Sequence, residues 1–363
     1  MRVPSIRRLN LKGKRILLRV DFNVPIKNGK VAEDFRIVKS LPTIRLLKSK
    51  GAKIILLSHL GEKKESLKPV ADYLNRYLGN FKFIPSIFGK AAEKAVFSMK
   101  EDDIIMLENL RRDKGEEKND KNFAKKLAAF GDIYINEAFS VSHRGHASIA
   151  GIPKYLPSFA GLLFEKEVEN LSKAFKPKHP FLLILGGIKF ESKLGVLERF
   201  IKIADKIFIG GALANNFFKA KSINIGKSIF DKNVPVKKFL KNKKIILPVD
   251  VKKKDSVILD AGPKAIKEIL FLIKKARFIL WNGPLGNCGI KGFDKGTEMV
   301  ARKIADGPAI SIIGGGDTVA AVMKTGISNR FSFVSTGGGA MLEFLAKGTL
   351  PGIDALIKSK KLK

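Results

Sequence analysis

Three of the four histidines of this chain, with several of its arginines, stand just beyond short apolar runs. Asp21 and Asn23 follow the run 15–20, and His59 follows the run 53–58. Asn109 and Arg111 follow 104–107, and His143, Arg144 and His146 follow 133–135 after a short loop. Arginine carries a planar fork of donors that matches phosphate and carboxylate oxygens. Any one of these residues could be a loop cap or a surface charge. Gathered at the ends of strands they describe an anion pocket, because open α/β sheets bind ligands there.

The second half of the chain places glycines where the first places charges. Gly186 and Gly187 precede Lys189 and Lys193, and Gly210 and Gly211 precede a helical stretch. Residues 314–316 are all glycine and lead into Asp317 and Thr318; residues 337–339, again all glycine, lead into another helix. Glycine lets backbone approach a ligand, and helix N-termini offer free N–H groups to phosphate. One such turn also serves tight strand-to-helix packing. Four of them, one followed by Asp-Thr, argue for a polyphosphate, with Asp317 suited to hold Mg²⁺ beside it. Neither the dinucleotide pattern GxGxxG nor the phosphate loop GxxxxGK[ST] governs these turns, which disfavours a dehydrogenase or a P-loop ATPase.

No motif for a serine, cysteine or histidine nucleophile is evident. An acceptor that is itself a carboxylate would need none: it is ionised at pH 7 and requires no general base. Catalysis is then positioning and charge neutralisation by lysine, arginine and metal.

These residues need a frame to hold them. Short β-branched or leucine-rich runs alternate with helical patterns almost throughout, at 15–20, 53–58, 104–107 and 133–135, then at 181–185, 206–209, 244–247, 278–281, 309–313 and 331–335. Continuous apolar strands between helices mean parallel sheets covered on both faces. With 363 residues, two domains are expected. The fold is read as α/β, two doubly wound Rossmann-like domains with a cleft between them. Phe164, Val168, Leu171 and Phe175 make one helical stripe, with prolines at 153 and 157 before it and at 177 and 180 after it. It predicts a connecting helix over 161–175. The expected domains are thus 1–160 and 177–347, joined through 161–176.

Composition narrows the partners. Hydrophobic residues make up 45% of the chain, enough to bury two cores. The basic N-terminus has no apolar stretch of signal-peptide length, and the apolar runs are strand-sized. The single cysteine, Cys288, cannot form an internal disulfide, which points to a reducing cytoplasm. No membrane association is expected, and a monomer is. The net charge of +35 favours anionic partners. Its lysines are dispersed and do not alternate with aromatics, so a solvated lysine-rich surface with weak, non-specific nucleic-acid binding is the expectation.

Taken in order, the motifs resemble phosphoglycerate kinase over essentially the whole chain. In the first half these are RVDFNVP at 19–25, SHLG at 58–61, ENLR at 108–111 and HRGH at 143–146. LGGIKFESK at 185–193, WNGPLG at 281–286, IIGGGDT at 312–318 and STGGGA at 335–340 complete the set. The resemblance implies reversible phosphoryl transfer from 1,3-bisphosphoglycerate to ADP, giving 3-phosphoglycerate and ATP, with Mg²⁺. It implies that Asp21, Asn23, Arg36, His59, Arg111 and Arg144 bind the phosphoglycerate. Lys193 would neutralise the moving phosphoryl group, with Arg36 approaching from the other domain, and Gly338 and Gly339 would present helix N–H groups to it. Gly187 and Lys189 would contact the nucleotide phosphates, and Gly210, Gly211, Asn282 and Pro284 would border the nucleoside. Gly315, Gly316, Asp317 and Thr318 would hold the phosphates, with Asp317 on magnesium. The segment 348–363 would return to the first domain.

Two departures stand out. Where the family has Arg-Pro after SHLG, this chain has Glu62 and Lys63. Glu62 is expected to turn to solvent, with Lys63 or Lys64 reaching the phosphate. Where the family has Val-Phe-Glu after WNGPxG, with the glutamate on the ribose, this chain has Asn287, Cys288 and Gly289. The loops around both sites are short for the family. Two rivals remain: another kinase with a carboxylate acceptor, and a basic nucleic-acid-binding protein that keeps this fold with weakened activity.

Overall fold

A computed structural model describes residues 1–62 and 64–359, so the calls on Lys63 and on 360–363 lie outside the described residues. The chain divides into two compact units. One is Met1–Glu169 with the C-terminal segment from Thr349; the other is Asn170–Gly348. The division falls inside the helix Leu162–Ser172, which continues as a 3₁₀ turn over Lys173–Phe175.

The first unit holds a parallel sheet in the order Phe81–Ile84, Ile104–Leu107, Lys53–Leu57, Arg15–Arg19, Ile133–Asn136, Ser158–Ala160. The interiors of its central strands are apolar and buried, as expected of strands covered on both faces, with Arg19 and Asn136 buried at two strand ends. One face packs Ile16, Leu18, Ile54, Leu56, Ile104 and Ile135 into a single core. The two edge strands escape the sequence pattern. Phe81–Ile84 alternates apolar and exposed residues, and Ser158–Ala160 is three residues long. The helix Pro351–Ile357 buries Ile353 and Leu356, and its Gly352 N–H donates to the Ser142 carbonyl at 2.8 Å, beside His143 and Arg144.

The second unit repeats the plan in the order Ile245–Ile246, Lys206–Ile209, Phe181–Leu185, Phe278–Asn282, Ile310–Gly314, Phe333–Val334. By position in the chain this is the doubly wound order 3-2-1-4-5-6. The expected strand at 331–335 shortens to Phe333–Val334 because side chains take over its start. Ser311 and Ser332 exchange backbone-to-hydroxyl bonds at 3.0 and 3.1 Å. An antiparallel hairpin, Val251–Lys254 with Val257–Ala261, has no counterpart among the expected elements, since VKKK reads as solvated charge. Among the described residues no helix is long and apolar enough to cross a membrane.

Candidate functional site

In the first unit the charged residues converge at the carboxyl ends of the four central strands. Asp21 follows Arg15–Arg19, and its carboxylate lies 3.0 Å from Nη1 of Arg36, on the first turn of the helix Phe35–Ser49. The same guanidinium donates to the Asn23 carbonyl at 3.0 Å. The Ser140 hydroxyl donates to the same oxygen of the Asp21 carboxylate. Burial alone would raise the Asp21 carboxyl, but the Arg36 guanidinium, together with the hydrogen bonds from Ser140 and the Asn23 N–H, holds the group below its usual range. The Asn23 side-chain oxygen accepts from the Gly61 N–H at 2.9 Å, which ties the loop after His59 to this turn.

His59 is almost fully buried, and Nη2 of Arg19 stands 3.2 Å from its Nδ1. Burial first, then the charges of Arg19, Arg111 and Arg144, hold the imidazole well below its ordinary pKa, so it is neutral at pH 7. His146 is pushed down to about 4 by burial and the same three arginines. Arg111 donates to the Gly61 carbonyl at 2.6 Å, while its Nε, without a hydrogen bond, faces the Glu117 carboxylate at 3.6 Å. That contact is longer than a charge-assisted hydrogen bond, and an anion could give the N–H a closer acceptor. Arg144 is exposed. The loop that follows His59 is held by two residues of the ENLR motif. Asn109 donates to the carbonyls of Leu60, Glu62 and Glu65, and Glu108 accepts from the Leu67 N–H and the Ser66 hydroxyl, both at 2.8 Å. Glu62 is exposed, as expected, and so is Lys64.

The second unit is organised by backbone. The turns after Phe181–Leu185 and Phe278–Asn282 interlock: Gly186 N–H donates to the Asn282 carbonyl at 2.9 Å and Gly187 N–H to the Pro284 carbonyl at 2.8 Å. A Cβ on Gly186 would lie 2.2 Å from the Pro284 oxygen, and one on Gly211 would lie 2.6 Å from the Gly187 nitrogen. Close packing alone therefore accounts for glycine at 186 and 211. Gly338 differs. Nothing lies within 4 Å of its missing Cβ, and its φ of 51° at the head of the helix Gly339–Lys347 is what demands glycine there. That turn leaves room for a ligand at a helix N-terminus.

A cavity of about 640 Å³ opens between these turns and the hairpin. Gly187, Gly211, Pro284, Asp317 and Lys324 are on its wall, with Val257, Leu259 and Phe218 forming an apolar side. Its size and mixed lining suit a nucleotide. Lys193, on the helix Glu191–Phe200, is buried; its ammonium donates to the Lys189 carbonyl at 3.2 Å and lies 3.8 Å from the Cβ position of Gly187. Burial lowers its pKa and the Asp317 carboxylate opposes that shift. Lys189, Gly316 and Asp317 are exposed, with Gly315 capping the helix Gly316–Lys324 at φ 96°. Of the implied residues only Gly187, Gly211, Pro284 and Asp317 are on the cavity wall, and three of the others are taken up by packing. Thr318 is fully buried and its hydroxyl accepts from the Gly283 N–H at 2.8 Å. Asn282 is buried beneath Gly315, and Gly210 faces Leu285; neither lines the cavity. Sequence reasoning gave no place to Lys324 or to the hairpin wall, because a lone lysine and a lysine-rich run carry no distinguishing signal.

A family model described as phosphoglycerate kinase matches residues 6–348. The chain belongs to the phosphoglycerate kinase family. Among curated relatives, the phosphoglycerate kinase of Fervidobacterium nodosum is 44% identical, the match covering 98% of this chain and 99% of the relative. That of Thermosipho africanus is also 44% identical, covering 99% and 98%. The alignment with the former runs over 395 positions against a chain of 363 residues, so the relative carries residues that this chain lacks. The solved structure of phosphoglycerate kinase from Coxiella burnetii has a TM-score of 0.86 at 36% identity, covering 99% of this chain and all of that one. The enzyme structure from Pyrococcus horikoshii gives 0.85 at 32%, covering 97% and 98%. At the second departure, the Asn287 side chain turns back to accept from the Gly289 N–H at 3.0 Å, and the Cys288 thiol contacts the Gly286 carbonyl at 3.7 Å.

Proposed function

We propose that this protein catalyses reversible phosphoryl transfer between 1,3-bisphosphoglycerate and ADP, yielding 3-phosphoglycerate and ATP. The observation that carries the reading is the buried ammonium of Lys193 at the Gly187 turn, where Gly187 and Asp317 are both on the wall of a cavity of about 640 Å³. Family membership supports it. In the first unit Arg36, Arg111 and Arg144, with neutral His59 and with Asp21 and Asn23 ordering the turn, bind the phosphoglycerate. The acceptor carboxylate is ionised at pH 7, so no side chain has to take a proton from it. Lys193 and Arg36 neutralise charge as it spreads over the moving group, and the N–H groups at Gly338 and Gly339 do the same from the helix end.

Lys189, Gly187 and the Gly315–Gly316 turn hold the nucleotide phosphates, and Pro284 and Gly211 border the nucleoside. Among the described residues no group of three or more metal-ligating side chains exists. A single carboxylate at a phosphate site is the usual provision for Mg²⁺, which keeps waters and substrate oxygens as its other ligands. Asp317 fits that provision and would hold the ion, which when bound supplies charge neutralisation on the polyphosphate.

Donor and acceptor must come within about 3–3.5 Å for transfer. Their binding residues belong to different units, so the units are proposed to swing together about the segment 161–175 when both ligands bind. X-ray scattering should register compaction with both ligands and not with either alone. The working state is proposed to be a cytoplasmic monomer. The charge of +35 should give only weak DNA binding that moderate salt abolishes. The function is tested by a coupled assay of ATP formation from 1,3-bisphosphoglycerate and ADP. Absence of turnover, or equal phosphorylation of acetate or glutamate in place of 3-phosphoglycerate in the reverse direction, would refute it.

A further inference from the structure

Arg19 belongs to none of the binding sets above, yet it is the most constrained cation in its unit. It is 1% exposed, and each guanidinium nitrogen is committed. Nε donates to the Ser148 hydroxyl at 2.8 Å, Nη1 to the Val20 carbonyl, and Nη2 faces Nδ1 of His59 at 3.2 Å. Ser148 is in turn fixed on the buried Glu116, its hydroxyl donating to one carboxylate oxygen at 2.5 Å and its N–H to the other at 2.9 Å. A Glu116 oxygen also lies 3.9 Å from Nη2 of Arg19. A guanidinium has donors and no acceptor, and arginine is not deprotonated in proteins. Nδ1 of His59 must therefore be the acceptor, and the ring proton must sit on Nε2. That nitrogen has no hydrogen-bonding partner among the described residues.

We propose that Arg19, braced by Ser148 and Glu116, is a positioning residue that locks His59 in the Nε2–H tautomer, making the ring a permanent neutral donor to a phosphoglycerate oxygen. The identity of that ligand rests on the function proposed above; the tautomer does not. The charged groups facing the imidazole are Arg19, Arg111 and Arg144 on one side of the balance and Asp21 on the other. Three cations against one carboxylate, in a buried setting, disfavour an imidazolium and so agree with the hydrogen-bond geometry. A free histidine would instead change its donor count near pH 6.5. The lock removes that change from substrate binding.

Histidine-selective ¹⁵N spectra decide it, with the His59 signals identified by their loss in His59→Gln. The expected parent spectrum shows a protonated Nε2 and a bare Nδ1, unchanged from about pH 5.5 to about 8.5. A His59 that titrates in that window, or carries its proton on Nδ1, overturns the proposal. Arg19→Lys keeps the charge opposite Glu116 and loses the fork. It should raise KM for 3-phosphoglycerate about tenfold, the scale of one hydrogen bond to a charged ligand, with KM for ATP little changed and with His59 now titrating. A merely structural role would lower yield or turnover without singling out one substrate. Should Arg19→Lys fail to fold, Ser148→Ala removes only the brace and should free His59 in the same spectra. A parental His59 spectrum in whichever variant folds contradicts the lock. A parent that forms no ATP sinks the function alone, and its spectrum still decides the tautomer.

Discussion

In the first unit the site is made of side chains that carry charge: Arg36 on Asp21, Arg19 on His59, and Arg111 on the Gly61 carbonyl and near Glu117. In the second it is made of backbone. Gly186, Gly187 and Gly211 let two strand-to-helix turns interlock, and one buried lysine and one carboxylate supply the local charge. The difference fits the ligands proposed for the two units. A small trianion offers little beyond its charges, which forks of donors can read. A nucleotide offers a large surface and a polyphosphate, for which a shaped cavity with helix N-termini suffices. The two units should therefore fail differently when altered.

The largest effect should come from adding a single carbon to the second unit. Gly186→Ala forces a Cβ to within 2.2 Å of one carbonyl oxygen and 2.6 Å of another, and neither can yield. A cost of about 4 kcal/mol or more is expected, enough to leave the unit poorly folded in denaturant titrations. The matching change in the first unit, Gly145→Ala, meets open space and should alter stability by no more than about 0.5 kcal/mol. Equal losses would erase the contrast.

Next in size is Lys193→Ala. Removing a charge contact made to the transferring group should lower kcat by about 10²–10³ while leaving nucleotide affinity nearly intact. Turnover close to the parent's would reject the role.

A smaller effect separates the units by pH. Glu137 is fully buried, and burial pushes its carboxyl up to about 8 although Thr43 and the N–H groups of Leu163 and Phe164 donate to it. A folded-state pKa above the ordinary value means that folding favours the protonated form. Its contribution is complete below about pH 4.5 and is lost as pH rises through 8. The stability of the first unit should fall over that range by at most about 1.4 kcal/mol per pH unit from this group, and Glu137→Gln should flatten the slope. Identical slopes in parent and variant would remove Glu137 as the cause.

The smallest effect concerns Glu62. Its exposed side chain leaves the anion pocket free, so Glu62→Arg should lower KM for 3-phosphoglycerate modestly or leave it unchanged. A rise in KM would mean that the carboxylate has a use in the pocket.

Much of this was legible in the sequence, and the exceptions share a cause. The central strands were readable because buried parallel strands are continuous apolar runs, as in Phe181–Leu185. The edge strand Phe81–Ile84 and the lysine-bearing hairpin were not, since half-exposed strands look like surface. Asp21, His59 and Arg111 were found because charge at strand ends is conspicuous, whereas Arg36, on the first turn of a helix, came only with the resemblance. Arg19 was passed over because it lies within a strand, where its burial on Ser148 and Glu116 leaves no mark on spacing. Thr318 belongs to a phosphate motif by its neighbours, yet its hydroxyl serves the Gly283 turn. Nothing short of the three-dimensional contact distinguishes those two uses.

The central claim, one ligand read by charge and the other by shape, is tested most directly by titration calorimetry of 3-phosphoglycerate and Mg·ADP into two variants. Arg111→Met removes charge from the first unit. Ala320→Leu fills the wall of the cavity in the second and changes no charge. The account predicts a crossover: Arg111→Met weakens 3-phosphoglycerate about tenfold or more and spares Mg·ADP, while Ala320→Leu does the reverse. If either variant weakens both ligands alike, the division of labour between the two units is wrong.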